Sequence, residues 1–102
     1  MSLNNEIYAI KDTIVSTIPA KSIYIFGSYA KGTQNTNSDY DFYVIVPDYI
    51  HPIEATWKIR EAIDEQTRGI DMLVGTESKF NKYKNVYSIE KEVFETGVKI
   101  YG

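Results

Sequence analysis

The stretch IFGSYAKGTQNTNSDYDFYVIV, residues 25–46, joins two apolar runs through a Gly-Ser pair and two aspartates one residue apart. SIYIF at 22–26 is β-branched and aromatic and runs into Gly27, which predicts a short buried strand ended by the glycine. DFYVIV at 41–46 predicts a second strand, stopped by Pro47. Between them, YAKG at 29–32 has the length of one helical turn, and GTQNTNSD at 32–39 is turn-forming. The pairing of the two strands stays open at this level, because such a connection suits a loose hairpin or one that includes a short helix.

Working outward, Leu3, Ile7, Ile10, Ile14 and Ile18 recur at spacings of three and four, the apolar face of a helix that Pro19 stops. From Ile53 to Gln66 the helical period returns, with Ala55, Ile59, Ala62 and Ile63 on one face and Arg68-Gly69 closing the segment. GIDMLVG at 69–75 supplies a third strand. The remainder, 76–102, reads as one or two helices, with Ile89 and Val93 facing inward and Gly97 as a C-cap. Helix, strand, strand, helix, strand, helix describes an α+β or α/β domain: a small sheet covered by helices. The 102 residues suit a single domain, 1–102.

Composition narrows the function. A net charge of −3 gives no general reason to expect direct nucleic-acid binding, which favours a basic surplus. The absence of cysteine excludes disulfides, thiolate metal sites and a cysteine nucleophile. No apolar run reaches the roughly 18–20 residues that span a bilayer, and the N-terminus lacks a signal peptide's apolar core. A cytoplasmic protein without membrane partners is the expectation.

Chemistry concentrates in the carboxylates. Strand side chains alternate, so Asp39 and Asp41 leave the same face together, and two like charges so close call for a neutralising cation. Magnesium takes a few carboxylate oxygens and completes its shell with water and phosphate oxygens, which makes Asp-X-Asp a suitable half-site. Asp71, at the start of the third strand, reaches the same end of the sheet if that strand lies beside the second, as a metal ligand or as a base for a hydroxyl. Taken singly, each aspartate also fits an ordinary turn or a solvated strand end. Gly27 would let backbone approach a phosphate, and Ser28 could donate its hydroxyl there; equally, Gly27 could end a strand and Ser28 cap a helix. Lys31 is placed to neutralise a triphosphate or to be an ordinary surface lysine.

Gly27-Ser28, ten intervening residues, Asp39-X-Asp41 and the later Asp71 together resemble the nucleotidyltransferase superfamily that includes DNA polymerase beta. The order and small size look most like its minimal nucleotidyltransferases, and ETGVKIYG resembles the family's usual ending. The resemblance implies an α+β nucleotidyltransferase fold with a small mixed sheet. It also implies that Gly27 and Ser28 hold the triphosphate of ATP, while Asp39, Asp41 and Asp71 are the catalytic, magnesium-binding carboxylates, Asp71 as ligand or base. The Gly-Ser to Asp-X-Asp spacing is similar to that of the antitoxins paired with HEPN-domain ribonuclease toxins. That narrower likeness implies AMP transfer from ATP to a toxin tyrosine and a hetero-oligomer with the toxin. The competing functions are a non-catalytic antitoxin acting by occlusion, and nucleotidyl transfer to a small molecule.

Residues outside this set receive modest expectations. His51, the single histidine, reads as a surface loop residue. Trp57 and most tyrosines suit packing, with Tyr29 and Tyr40 flanking the site and open to a base-stacking role. Lys79, Lys82 and Lys84 form a local basic run, read as a solvated helix face, with RNA or an acidic partner face as the alternative.

Overall fold

The structure, a computed structural model, describes residues 5–33, 39–63 and 69–102. Among the described residues nine elements follow in order: α1 (Asn5–Thr17), β1 (Ser22–Phe26), α2 (Ser28–Lys31), β2 (Tyr40–Val46), α3 (Pro52–Ala62), β3 (Ile70–Thr76), α4 (Glu77–Tyr83), α5 (Ile89–Thr96) and β4 (Val98–Tyr101). The strands form one mixed sheet in the order β3-β2-β1-β4. β1 pairs antiparallel with both β2 and β4, and β2 pairs parallel with β3, with α3 in the crossover. The α+β expectation and the small helix-covered sheet stand, and the open question of β1 and β2 resolves as an antiparallel pair joined through the one-turn helix α2.

DFYVIV is an unbroken apolar run because β2 is buried on both faces, as a central strand must be when helices cover the two sides of its sheet. Tyr40, Phe42, Val44 and Val46 face one core, built with Ile7, Ile10 and Ile14 of α1 and Ala55 and Ile59 of α3. Tyr43 and Ile45 face the other, with Phe26, Phe80 of α4 and Val93 of α5. α4 and α5 start with side-chain caps: Thr76 accepts from the Lys79 N–H at 3.2 Å and Ser88 from the Lys91 N–H at 3.1 Å. His51 is the N-cap of α3, its Nδ1 accepting from the Ile53 N–H at 3.3 Å just before Pro52, so its loop position has a structural use.

Several expectations need correction. Val98–Tyr101 is a strand, β4, where the sequence suggested the tail of a helical region; four residues of VKIY become a strand by pairing along β1. Gly97 does end α5, its N–H bonding to the Val93 carbonyl at 2.9 Å, but in extended backbone with φ −73°. Val93 is fully buried, whereas Ile89 is 39% exposed at the first position of α5. Ala62 is exposed, although Ala55 and Ile59 are buried as the helical period predicts. Leu3, Gln66 and Arg68 lie outside the described residues, as does part of the GTQNTNSD turn. Among the described residues no helix is long and apolar enough to cross a membrane.

Candidate active site

The pleat sends Asp41 out of β2 on the α4/α5 side, the face of Tyr43 and Ile45. In the parallel ladder Asp41 stands directly opposite Asp71 of β3. The third strand therefore lies beside the second, the condition under which Asp71 reaches the same site. Burial and then the Asp71 charge raise the Asp41 pKa to about 6, with a hydrogen bond from protonated Asp41 to Asp71, and with Asp39 and Glu92 adding to the effect. Asp39 sits one residue before β2 and is exposed.

Two glycines make this crowding feasible. Gly27, with φ 71°, lies against Asp41: a Cβ placed there would meet the Asp41 carboxylate oxygen at 2.2 Å. The register explains the contact, since Phe26, the residue before Gly27, pairs with Asp41. Gly69 accommodates Asp39 in the same way, a Cβ there falling 2.4 Å from the Asp39 Oδ1, while the Gly69 carbonyl accepts the Tyr40 N–H at 3.0 Å. Gly27 thus places the Gly-Ser turn against the carboxylate pair, which no spacing rule required.

Ser28 opens α2 as its first helical residue; the N-cap is Gly27, so the helix-cap alternative for Ser28 does not hold. Its hydroxyl has no partner among the described residues, and its carbonyl accepts from Thr33 N–H at 2.9 Å. Lys31, at the end of α2, lies 4.0 Å from Glu92 of α5. Tyr29 and Tyr40, the two tyrosines expected beside the site, belong to the core. Their rings pack 4.8 Å apart, both are buried, and the Tyr40 hydroxyl donates to Glu6. Base stacking by either is thereby excluded in this arrangement.

The carboxylates can be tested as a cation site on their chemistry. Among the described residues no three acidic or imidazole side chains form a complete ligand cluster. What exists is a facing pair, Asp41 and Asp71, in which burial and the neighbouring charge make Asp41 harder to ionise than an ordinary carboxyl, with Asp39 adding to the effect. That set fits a hard cation that binds through one or two carboxylates and takes its other ligands from water and phosphate oxygens. Glu92 is the residue at this site that sequence reading missed. It sits 51 residues beyond Asp41 on an amphipathic helix, and only the packing of α5 over the sheet brings its charge to bear.

A mixed sheet with an acidic pair across β2 and β3 and a Gly-Ser turn against it defines a nucleotidyltransferase domain. The chain belongs to the polymerase beta nucleotidyltransferase family, whose model matches residues 9–102. It is 40% identical over 53 residues to the protein adenylyltransferase MntA of Shewanella oneidensis, a segment covering 49% of this chain and 38% of that protein. The match therefore spans well under half the length of that relative. Among solved structures, a toxin–antitoxin with AMP-PNP superposes with a TM-score of 0.64 at 30% identity, covering 97% of this chain and 74% of the other. A mutant MntA–HpeT toxin–antitoxin superposes with a TM-score of 0.67 at 24% identity over 98% of this chain and 74% of that one, a likeness of fold.

Proposed function

We propose that this chain is a magnesium-dependent adenylyltransferase that moves AMP from ATP to a tyrosine hydroxyl of a partner HEPN ribonuclease toxin, and so acts as its antitoxin. The observation that carries the reading is the Asp41–Asp71 pair set directly against Gly27. In this reading the pair is the cation site and the turn receives phosphate, and their contact supports a shared role. The names of the relatives support the substrate class: one is a protein adenylyltransferase, and another is a toxin–antitoxin carrying an ATP analogue.

In this reading Gly27 and the free hydroxyl of Ser28 receive the triphosphate, with Lys31 alongside. Asp39, Asp41 and Asp71 would hold magnesium, which supplies charge neutralisation to the reacting phosphate when bound. The acceptor oxygen forms a bond to the α-phosphorus of ATP as the bond to the bridging oxygen breaks. Pyrophosphate leaves, and the hydroxyl proton passes to a base, the role open to Asp71 if it is not a ligand.

The test incubates the chain with labelled ATP, magnesium and the product of the neighbouring gene. AMP on a tyrosine of that protein is expected, with loss in Asp39→Ala and Asp41→Ala. Full inhibition of the toxin by those two variants without label would establish occlusion in place of transfer. Undiminished transfer in excess EDTA would overturn the metal role.

A further inference from the structure

Residues 78–89 carry Lys79, Lys82 and Lys84 and no carboxylate, in a chain whose net charge is −3. Lys79 is paired with the buried Glu90 at 3.9 Å. Lys82 and Lys84 instead lie over aromatic rings, Tyr83 at 5.4 Å and Phe94 at 4.9 Å, and neither is ion-paired among the described residues. Beside them Val86 is half exposed and Tyr87 is 99% exposed, an unusual position for a large aromatic side chain. An open groove of about 560 Å³ adjoins this corner, lined by Tyr87 and by Lys91, Glu92 and Glu95 of α5. Glu92 is also the residue whose charge acts on Asp41 and which pairs with Lys31. The groove thus shares Tyr87 with the lysine corner and Glu92 with Lys31, at the end of the helix that follows the Gly-Ser turn.

We propose that this groove is the docking path for the acceptor protein. Its occupant is an extended segment whose neutral, hydroxyl-bearing stretch lies along Tyr87 and Lys91, and whose acidic flank meets Lys82 and Lys84. Charge selects that occupant. The two unpaired lysines await carboxylates, while Glu92 and Glu95 in the groove repel the continuous phosphates of a nucleic acid strand. Tyr87 offers a broad contact surface with few rotatable bonds, as interface anchors do. The position of Glu92 sets the direction, since a segment passing it comes to Lys31 at the end of α2, which begins beside Gly27.

The inference rests on the proposed transfer to a protein acceptor, and the test separates the two. Calorimetric titration of the purified neighbouring toxin, without ATP, reads docking apart from chemistry. The double variant Lys82→Glu/Lys84→Glu and the single variant Tyr87→Ala are each expected to weaken toxin binding by about tenfold, and the double variant to flatten its salt dependence. ATP affinity and thermal unfolding should match the parent, because these side chains are on the surface. Toxin affinity unchanged in both variants would overturn the proposal, as would single-stranded RNA that binds the parent and not the double variant while toxin binding is unaltered. A parent that binds toxin through this corner but transfers no AMP would count against the adenylyltransferase reading and leave the docking path standing.

Discussion

Asp41 joins the turn, the sheet and the partner strand in a single side chain. Its pKa is raised from 3.8 to about 6 by burial and by Asp71. Between those values the folded chain holds a proton that the unfolded chain has released, so stability falls as pH rises through the window and levels off above about 6. In metal-free protein Asp41→Asn is expected to remove that decline. Scanning calorimetry at pH 7 should give the variant a higher Tm than the parent, with added magnesium raising only the parent's. The proposed AMP transfer should be lost together with the gain in stability, the trade expected if these crowded like charges are kept for that function. A parent Tm indifferent to pH between 4 and 7 once the variant is subtracted would contradict this account. At this scale the period of two in SDYD predicted a shared face for Asp39 and Asp41. That Gly27 is the surface against which Asp41 rests depends on the β1 to β2 register, and that register was not legible.

Among the elements, α5 has the most to do with the site that the sequence did not disclose. Glu90, 4% exposed, accepts the Tyr43 hydroxyl at 2.8 Å, and this bond with burial pushes the Tyr43 hydroxyl's pKa upward. Tyr43 lies two residues beyond Asp41 on the same face, and Glu90 two residues before Glu92. The bond thus fixes the helix that carries Glu92 to the strand that carries Asp41. Tyr43→Phe leaves a buried carboxylate short of a donor and is expected to cost about 1–3 kcal/mol in urea unfolding. Space at this contact is tight, since a Cβ on Gly75 would fall 2.3 Å from the Tyr43 hydroxyl. The helical period placed Val93 inward correctly, but Ile89 sits in the first turn, where the core no longer covers it. β4 escaped notice because VKIY is too short to be a strand on its own pattern; β1 makes it one.

Across the whole molecule the sheet separates two unequal cores. The α1/α3 side is large, with Tyr29, Tyr40 and Phe42 packed among isoleucines and valines, whereas the α4/α5 side is small and centred on Phe80, whose ring meets Tyr24 at 5.7 Å and Tyr43 at 5.5 Å. Phe80→Ala is expected to cost about 3–5 kcal/mol in urea unfolding, a large share of the total in a domain this size. Trp57→Ala, at a residue 69% exposed on α3, should change stability by no more than about 0.5 kcal/mol. The carboxylates proposed to bind metal stand on the smaller-core side, so their placement depends on two short helices, each held at its start by a side-chain cap.

The sequence by itself determined the helix and strand types over most of the chain and marked out the carboxylates, because those follow from local periodicity and residue type. It also carried the family likeness, in a Gly-Ser pair, an Asp-X-Asp pair and one distant aspartate. Strand order, the parallel match of Asp41 with Asp71, the seating of Asp41 on Gly27 and the approach of Glu92 were decided only in three dimensions. Each depends on which edges and faces meet across tens of residues, and a buried side chain's electrostatics depends on neighbours that no local pattern specifies.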